Sequence, residues 1–163
     1  MSAQAAVGFR VKSGWATAVL LVGPARAPHV ADRRVIELSD PAVPTSRQPY
    51  HAVMDAAPAQ GAKLERRLRS VVARITRRSV RRLLQEYRRT GHAVSRVALV
   101  VGSDIDPARI ANDHIRAHAL EGRLFRTVLE RACRSFGLRA SVLVEREAYP
   151  EGATALRRSE SQV

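Results

Sequence analysis

Cysteine and aromatic residues are scarce in this chain of 163 residues, and each scarcity excludes a class of protein. The single cysteine, Cys133, excludes an internal disulfide framework and a multi-cysteine zinc site. Aromatic residues make up only 4% of the chain, which leaves few rings for stacking against bases. No apolar stretch reaches the about 20 residues that a membrane-spanning helix needs. The longest stretch, residues 15–22, has the length of a strand.

Other proportions are ordinary and favour a folded domain. Hydrophobic residues make up 45% and charged residues 26% of the chain, and the length suits one domain with a normal core. We predict a single domain over residues 1–148, with a Pro-rich loop at 39–61 and a flexible C-terminal tail at 149–163. No basic region precedes an apolar run at the N-terminus, so we expect a cytoplasmic protein with no membrane partner.

Acidic residues are absent from the first 30 positions, and the basic residues are spread unevenly. The chain holds 28 Lys and Arg against 15 Asp and Glu, which gives a formal net charge of +13. Residues 61–90 contain eleven basic residues and only two acids, Glu65 and Glu86, a net +9. This segment therefore holds most of the net charge, and the asymmetry is more informative than the total.

Apolar spacing and turn residues predict a chain that alternates strands with two long helices. Ser13 and Gly14 indicate a turn between the first two strands, and Asp106 with Pro107 is typical of a helix start. The predicted strands are 5–12, 15–22, 33–38, 96–102 and 140–145, and the predicted helices are 62–90 and 107–136. The order β-β-β-α-β-α-β predicts an α/β fold with one mixed five-stranded sheet.

This order of elements resembles the ribonuclease H-like fold over roughly residues 5–146. The chain is most similar to the Holliday-junction resolvase branch, on Gly8 in the first strand, Gly14 in the hairpin, and Ile115, Arg116 and Gly122 on the last long helix. The resemblance implies a nuclease that cuts phosphodiesters with two Mg²⁺ ions held by carboxylates.

The resemblance also implies an Asp two residues after Gly8, where this chain has Arg10. Further acids are expected on a helix after the fifth strand, and the predicted tail leaves little room for one. We therefore predict a non-catalytic domain, a pseudoenzyme without a metal cofactor. The alternative is an Mg²⁺-dependent nuclease with relocated carboxylates, drawn from Asp104, Asp106, Asp113 and Glu121.

A second group of polar residues is spaced along the last long helix. His114, His118 and Glu121 stand at i, i+4 and i+7, a spacing that can bind zinc. We expect partly buried histidines with satisfied hydrogen bonds instead, and no metal. With Arg10, the two histidines predict a polar pocket that can bind an anion. Cys133 falls at an apolar phase of the helix and is predicted to be a core thiol.

The arginine-rich helix has two interpretations. It is a nucleic-acid surface that contacts DNA or RNA phosphates, or it is a solvated face in a composition that favours arginine. Unpaired like charges cost helix stability, which favours an anionic partner modestly. The candidate nucleic-acid-binding residues are Arg66, Arg67, Arg74, Arg77, Arg78, Arg81, Arg88 and Arg89. A third hypothesis is a homodimer that forms through the edge strand at 33–38.

Overall fold

Five strands form one mixed sheet in the computed structural model, which describes residues 3–157. The main elements follow the order β1 (Ala3–Lys12), β2 (Trp15–Val22), β3 (His29–Glu37), α1 (Pro58–Arg89), β4 (His92–Val101), α2 (Asp113–Ser135), β5 (Arg139–Val144) and α3 (Glu145–Leu156). Short 3-10 helices lie at Pro44–Arg47, His51–Val53 and Pro107–Arg109. None of the described helices is long and apolar enough to cross a bilayer.

The sheet has the order β3-β2-β1-β4-β5. Strand β2 runs antiparallel to β1 and β3, whereas β1, β4 and β5 are parallel to one another. The predicted α/β class with a mixed five-stranded sheet is confirmed. Parallel neighbours need crossover connections, and α1 and α2 supply them.

Helices α1 and α2 cover one face of this sheet, so the residues of β1 alternate between buried and more exposed positions. Val7, Phe9 and Val11 are buried in the core, whereas Gly8 and Arg10 lie on the opposite face. The apolar residues of both helices pack against the buried set. Cys133 is fully buried among them, as predicted, and burial raises the pKa of its thiol to about 12.

The β1–β2 hairpin turns at Gly14, whose φ of +86° favours glycine. A Cβ at this position would lie 2.6 Å from Cγ of Arg47 and 2.8 Å from Oγ of Ser39. The Gly14 carbonyl also accepts hydrogen bonds from the backbone N–H of Leu38 and from the hydroxyl of Ser39. The close approach therefore packs the start of the Pro-rich loop against the hairpin.

The Pro-rich loop is shorter and more structured than predicted. Helix α1 begins at Pro58, so the connection from β3 ends at residue 57 rather than 61. Ser46 is fully buried, accepts a hydrogen bond from the Asp40 N–H and donates one to the Val43 carbonyl. Because these local bonds satisfy the backbone, the segment forms two 3-10 helices instead of an irregular loop.

The predicted tail at 149–163 and the second predicted helix both need correction. Residues 145–156 form α3, although Pro150 lies inside it; Ala153 is buried, and Glu145 and Glu147 stabilise the first turn. Residues 158–163 lie outside the described part. Helix α2 begins at residue 113 rather than 107, since residues 107–109 form only a short 3-10 helix.

Candidate functional site

Arg10 and Glu145 form an ion pair on the face of the sheet opposite α1 and α2. Nη2 of Arg10 donates to Oε1 of Glu145 at 2.5 Å, and the side chains are 56% and 38% exposed. Glu145 is the first residue of α3, the helix after β5 that the sequence did not predict. The expectation that this region lacks an acid-bearing helix is therefore wrong, but the guanidinium already occupies one of its carboxylates.

The side chains at this position do not fit an Mg²⁺ ion. Mg²⁺ takes oxygen ligands, chiefly carboxylates and phosphates, whereas a guanidinium has only donors and a positive charge. Strands β1 and β2 contain no acidic residue. Arg10 thus places a cation where the resemblance implies a carboxylate, and it neutralises Glu145.

The four acids of the alternative nuclease hypothesis lie in four different surroundings. Asp104 pairs with Arg126 at 2.5 Å, and Asp113 pairs with Arg116 at 2.9 Å within α2. Asp106 accepts a hydrogen bond from the N–H at position 108 and caps the short 3-10 helix. Glu121 is fully buried against histidines. Within residues 3–157, the acids do not form a three-ligand cluster.

Three histidines do meet, and we call His51, His114 and His118 the histidine cluster. Nε2 of His51 lies 3.2 Å from Nδ1 of His114, and Nε2 of His114 lies 3.3 Å from Nε2 of His118. The ring centroids are 4.3–4.7 Å apart. The helical spacing predicted that His114, His118 and Glu121 share a face; it gave no signal for His51, which comes from the loop before α1.

The anion pocket of Arg10, His114 and His118 stays a prediction. In the structure the Arg10 guanidinium turns to Glu145 of α3, and His114 and His118 contact each other. His118 also lines a cleft of about 190 Å³ with three cationic residues, Lys12, Arg123 and Arg126. This cleft lies at the carboxyl ends of β1 and β4, where α/β folds commonly bind ligands.

The predicted nucleic-acid residues all project from α1 into solvent, and the apolar residues of α1 face the sheet. Arg74 pairs with Asp40, and Arg77 donates to Ser135 and stacks 5.0 Å over the ring of Phe136. The other six make no ion pair or side-chain hydrogen bond among residues 3–157; they are Arg66, Arg67, Arg78, Arg81, Arg88 and Arg89. We call these six the arginine face.

A polar network that the sequence did not predict fixes α1 on the edge of the sheet. The hydroxyl of Tyr87 donates to Oδ2 of Asp32 at 2.8 Å, and Arg34 binds both Asp32 and Glu86. The hydrogen bond from Arg34 holds the pKa of Asp32 below its usual value. Burial, reinforced by the hydrogen bond to Asp32, raises the pKa of Tyr87. The network orients the helix that presents the arginine face.

No protein-family model matches this chain, and no curated protein matches it either. Among solved structures, it is similar to RuvC of Thermus thermophilus in complex with a Holliday junction substrate. Identity is 11% over 94% of this chain and 76% of that chain, with a TM-score of 0.50. A second Thermus thermophilus RuvC structure gives 9% identity, 94% and 81% coverage and a TM-score of 0.47.

A Ppx/GppA family protein of Aquifex aeolicus has 12% identity to this chain. The match covers 94% of this chain and 40% of that one, with a TM-score of 0.43. The likeness to RuvC in the junction complex, at 11% identity and a TM-score of 0.50, shows the fold alone. The chain has a ribonuclease H-like fold, as predicted.

Proposed function

We propose that this chain is a non-catalytic ribonuclease H-like domain that binds nucleic acid through the phosphate backbone. The arginine face of α1 is the binding surface. The observation behind the proposal is that six exposed arginines lie together on one side of a helix without acidic partners in the described chain. The RuvC structure that this fold resembles is a complex with a DNA junction, which agrees with such a partner.

The spacing of the arginines suits a long polyanion. Arg67, Arg78 and Arg89 recur every eleven residues, close to three helical turns, so they lie nearly in line along the helix. With a rise of 1.5 Å per residue, this line is about 33 Å long. That is about the length of one turn of duplex DNA, so several phosphates are within reach.

Repulsion within the helix also favours an anionic partner. Arg74, Arg77, Arg78 and Arg81 lie at i, i+3 and i, i+4 spacings, where each like-charge pair costs roughly 0.2–0.5 kcal/mol. Phosphates that bind between these guanidinium groups remove that cost and form charge-assisted hydrogen bonds. Tyr87, the one aromatic side chain of α1, is buried, so contacts are with the backbone rather than with stacked bases.

We also propose that the chain does not cleave nucleic acid, because of the charges near the start of α3. Arg10 stands where the resemblance implies an Asp, and its ion pair with Glu145 uses the nearest carboxylate. The remaining candidate acids are divided among separate partners. A two-metal mechanism needs carboxylates that converge on one place.

The test is a binding titration against duplex DNA, a four-way junction and RNA at several salt concentrations. We expect affinity to fall steeply with salt for every substrate, since phosphate contacts release counterions. Weak dependence on base sequence is expected as well. Absent binding, or binding that salt does not weaken, overturns the proposal.

A second candidate is self-association through β3, which forms one edge of the sheet. Val30 and Val35 are 60% and 58% exposed on this strand and offer apolar contacts to a second copy of the chain. The strand also includes several charged residues, a feature that protects edges from pairing. Light scattering at high protein concentration separates the two outcomes, and a monomer removes this candidate.

A further inference from the structure

We propose that the histidine cluster binds one transition-metal ion, for which Zn²⁺ is the best match. His51, His114 and His118 each offer a ring nitrogen, and one such set lies within 4.8 Å of one another. Residues 3–157 contain no other group of three His, Cys or acidic side chains with this proximity. The site is separate from the arginine face, so it does not depend on nucleic-acid binding.

One nitrogen of each ring lies within 4.8 Å of the other two, so small side-chain rotations bring the set to the spacing of ligands around a tetrahedral ion. With Zn–N bonds of about 2.0–2.1 Å, neighbouring ligand nitrogens are about 3.3 Å apart. The contacts of His114 with its two neighbours are 3.2 and 3.3 Å. His114 turns a different nitrogen towards each neighbour, so a rotation of its ring selects the one that binds.

Glu121 orients the ring of His51 for metal binding. Its Oε1 lies 2.8 Å from Nδ1 of His51 and 3.3 Å from the backbone nitrogen of the same residue. A carboxylate only accepts hydrogen bonds, so Nδ1 holds the proton and Nε2 keeps its lone pair. That Nε2 is the atom that faces His114. Metal-binding histidines commonly donate their other N–H to a carboxylate in this way.

The second oxygen of Glu121 is an independent sign of a missing positive partner. Oε2 is buried without a hydrogen-bond partner in the described structure, and the whole side chain is inaccessible to solvent. Its nearest basic neighbour is Nδ1 of His118, 3.9 Å away. A buried carboxylate is costly without compensating charge. A divalent ion on the adjacent imidazoles supplies that charge, and it favours the proton of His118 on Nδ1, facing Oε2.

The number and type of ligands indicate which metal ions fit the site and whether solvent can reach the bound ion. Imidazole nitrogens favour Zn²⁺, Cu²⁺ and Ni²⁺ over Mg²⁺ and Ca²⁺. Three protein ligands leave a fourth position for water or an anion, unlike the four ligands of a structural zinc site. His114 and His118 are exposed, so solvent reaches this position. The ion also ties the loop that bears His51 to the start of α2.

The test uses the full chain without a polyhistidine tag, stripped with a chelator and then titrated with Zn²⁺ or Co²⁺. We expect one ion per chain by calorimetry and a visible absorption band of tetrahedral Co²⁺. His51→Gln and His114→Gln should each abolish binding, and His114 is exposed enough that its substitution leaves folding intact. His29→Gln is the matched control, since His29 is exposed on β3, away from the cluster.

Two further measurements probe the role of Glu121. Glu121→Gln should weaken metal affinity by about 10–100-fold, the effect expected when a group that orients a ligand is altered. At a free Zn²⁺ concentration of 100 times Kd, the wild-type Tm should rise by about 5–10 °C, and the His51→Gln chain should not respond. No saturable binding by the wild type, or equal binding by the His51→Gln or His114→Gln chain, overturns the proposal.

Discussion

Removing three arginines in line should weaken nucleic-acid binding and reduce its dependence on salt. The perturbation is the triple substitution of Arg67, Arg78 and Arg89 by Gln, which removes the charge, keeps a polar side chain and nearly preserves helix propensity. None of the three makes an ion pair or side-chain hydrogen bond within residues 3–157, so the fold should retain its stability.

The magnitude follows from the number of phosphate contacts. If all six residues of the arginine face bind phosphates of duplex DNA, the slope of log affinity against log salt is about −5.4, and each lost contact changes it by about 0.9. Between 50 and 200 mM salt, the wild type should lose roughly 1,800-fold in affinity. The triple variant, with three contacts left, should lose only about 40-fold over the same range.

The assay is fluorescence anisotropy with a labelled duplex at several salt concentrations. The matched control replaces Arg26, Arg109 and Arg139 by Gln, which removes the same charge from exposed residues outside α1. The reasoning is refuted if the control triple reduces the slope as much as the α1 triple, because net charge would then explain binding. An unchanged slope in the α1 triple refutes it as well.

Three other predictions concern the framework around this surface. Tyr87→Phe removes the hydroxyl that donates a hydrogen bond to Asp32, and it should lower the free energy of unfolding, measured in urea, by about 1–2 kcal/mol. The exposed control, Tyr149→Phe, should leave that free energy unchanged, and equal losses in the two variants contradict the network. Arg10→Gln should change the free energy of unfolding by less than about 1 kcal/mol, because the ion pair with Glu145 is exposed to solvent. A larger loss would show that the ion pair stabilises the fold more than an exposed pair should. Cys133 should react with a thiol reagent only after unfolding, and rapid reaction of the native chain would contradict its burial.

The sheet and the two long helices were predictable because their signals are local. Helix α1 follows an apolar period near 3.6, and the β1–β2 hairpin follows from Ser13 and Gly14 between two apolar runs. The face of the eight candidate arginines was predictable for the same reason. Which of them already contact another side chain was not, because Asp40 and Ser135 come from distant parts of the chain.

Helix α3 was missed because its residues have weak local helix signals. Pro150 and Gly152 favour a turn, and the helix is only twelve residues long. Packing of Ala153 and the favourable charge of Glu145 near the N-terminus outweigh those preferences. The ion pair with Arg10 then joins residues 135 positions apart, a contact that no local pattern encodes.

The histidine cluster was predictable only in part. His114 and His118 share a helix face, and their spacing is visible in the sequence. His51 lies 63 residues earlier, in a segment without periodicity, and it reaches them because the loop before α1 packs against α2. The buried position of Glu121 likewise depends on this tertiary contact.

The most direct test of the central claim, binding without cleavage, is one incubation of the wild-type chain with labelled duplex and junction DNA. It contains Mg²⁺ at low salt, and it is analysed on native and denaturing gels in parallel. The account predicts a shifted complex on the native gel and an intact strand on the denaturing gel. Cut strands, or no shift at any protein concentration, would contradict it.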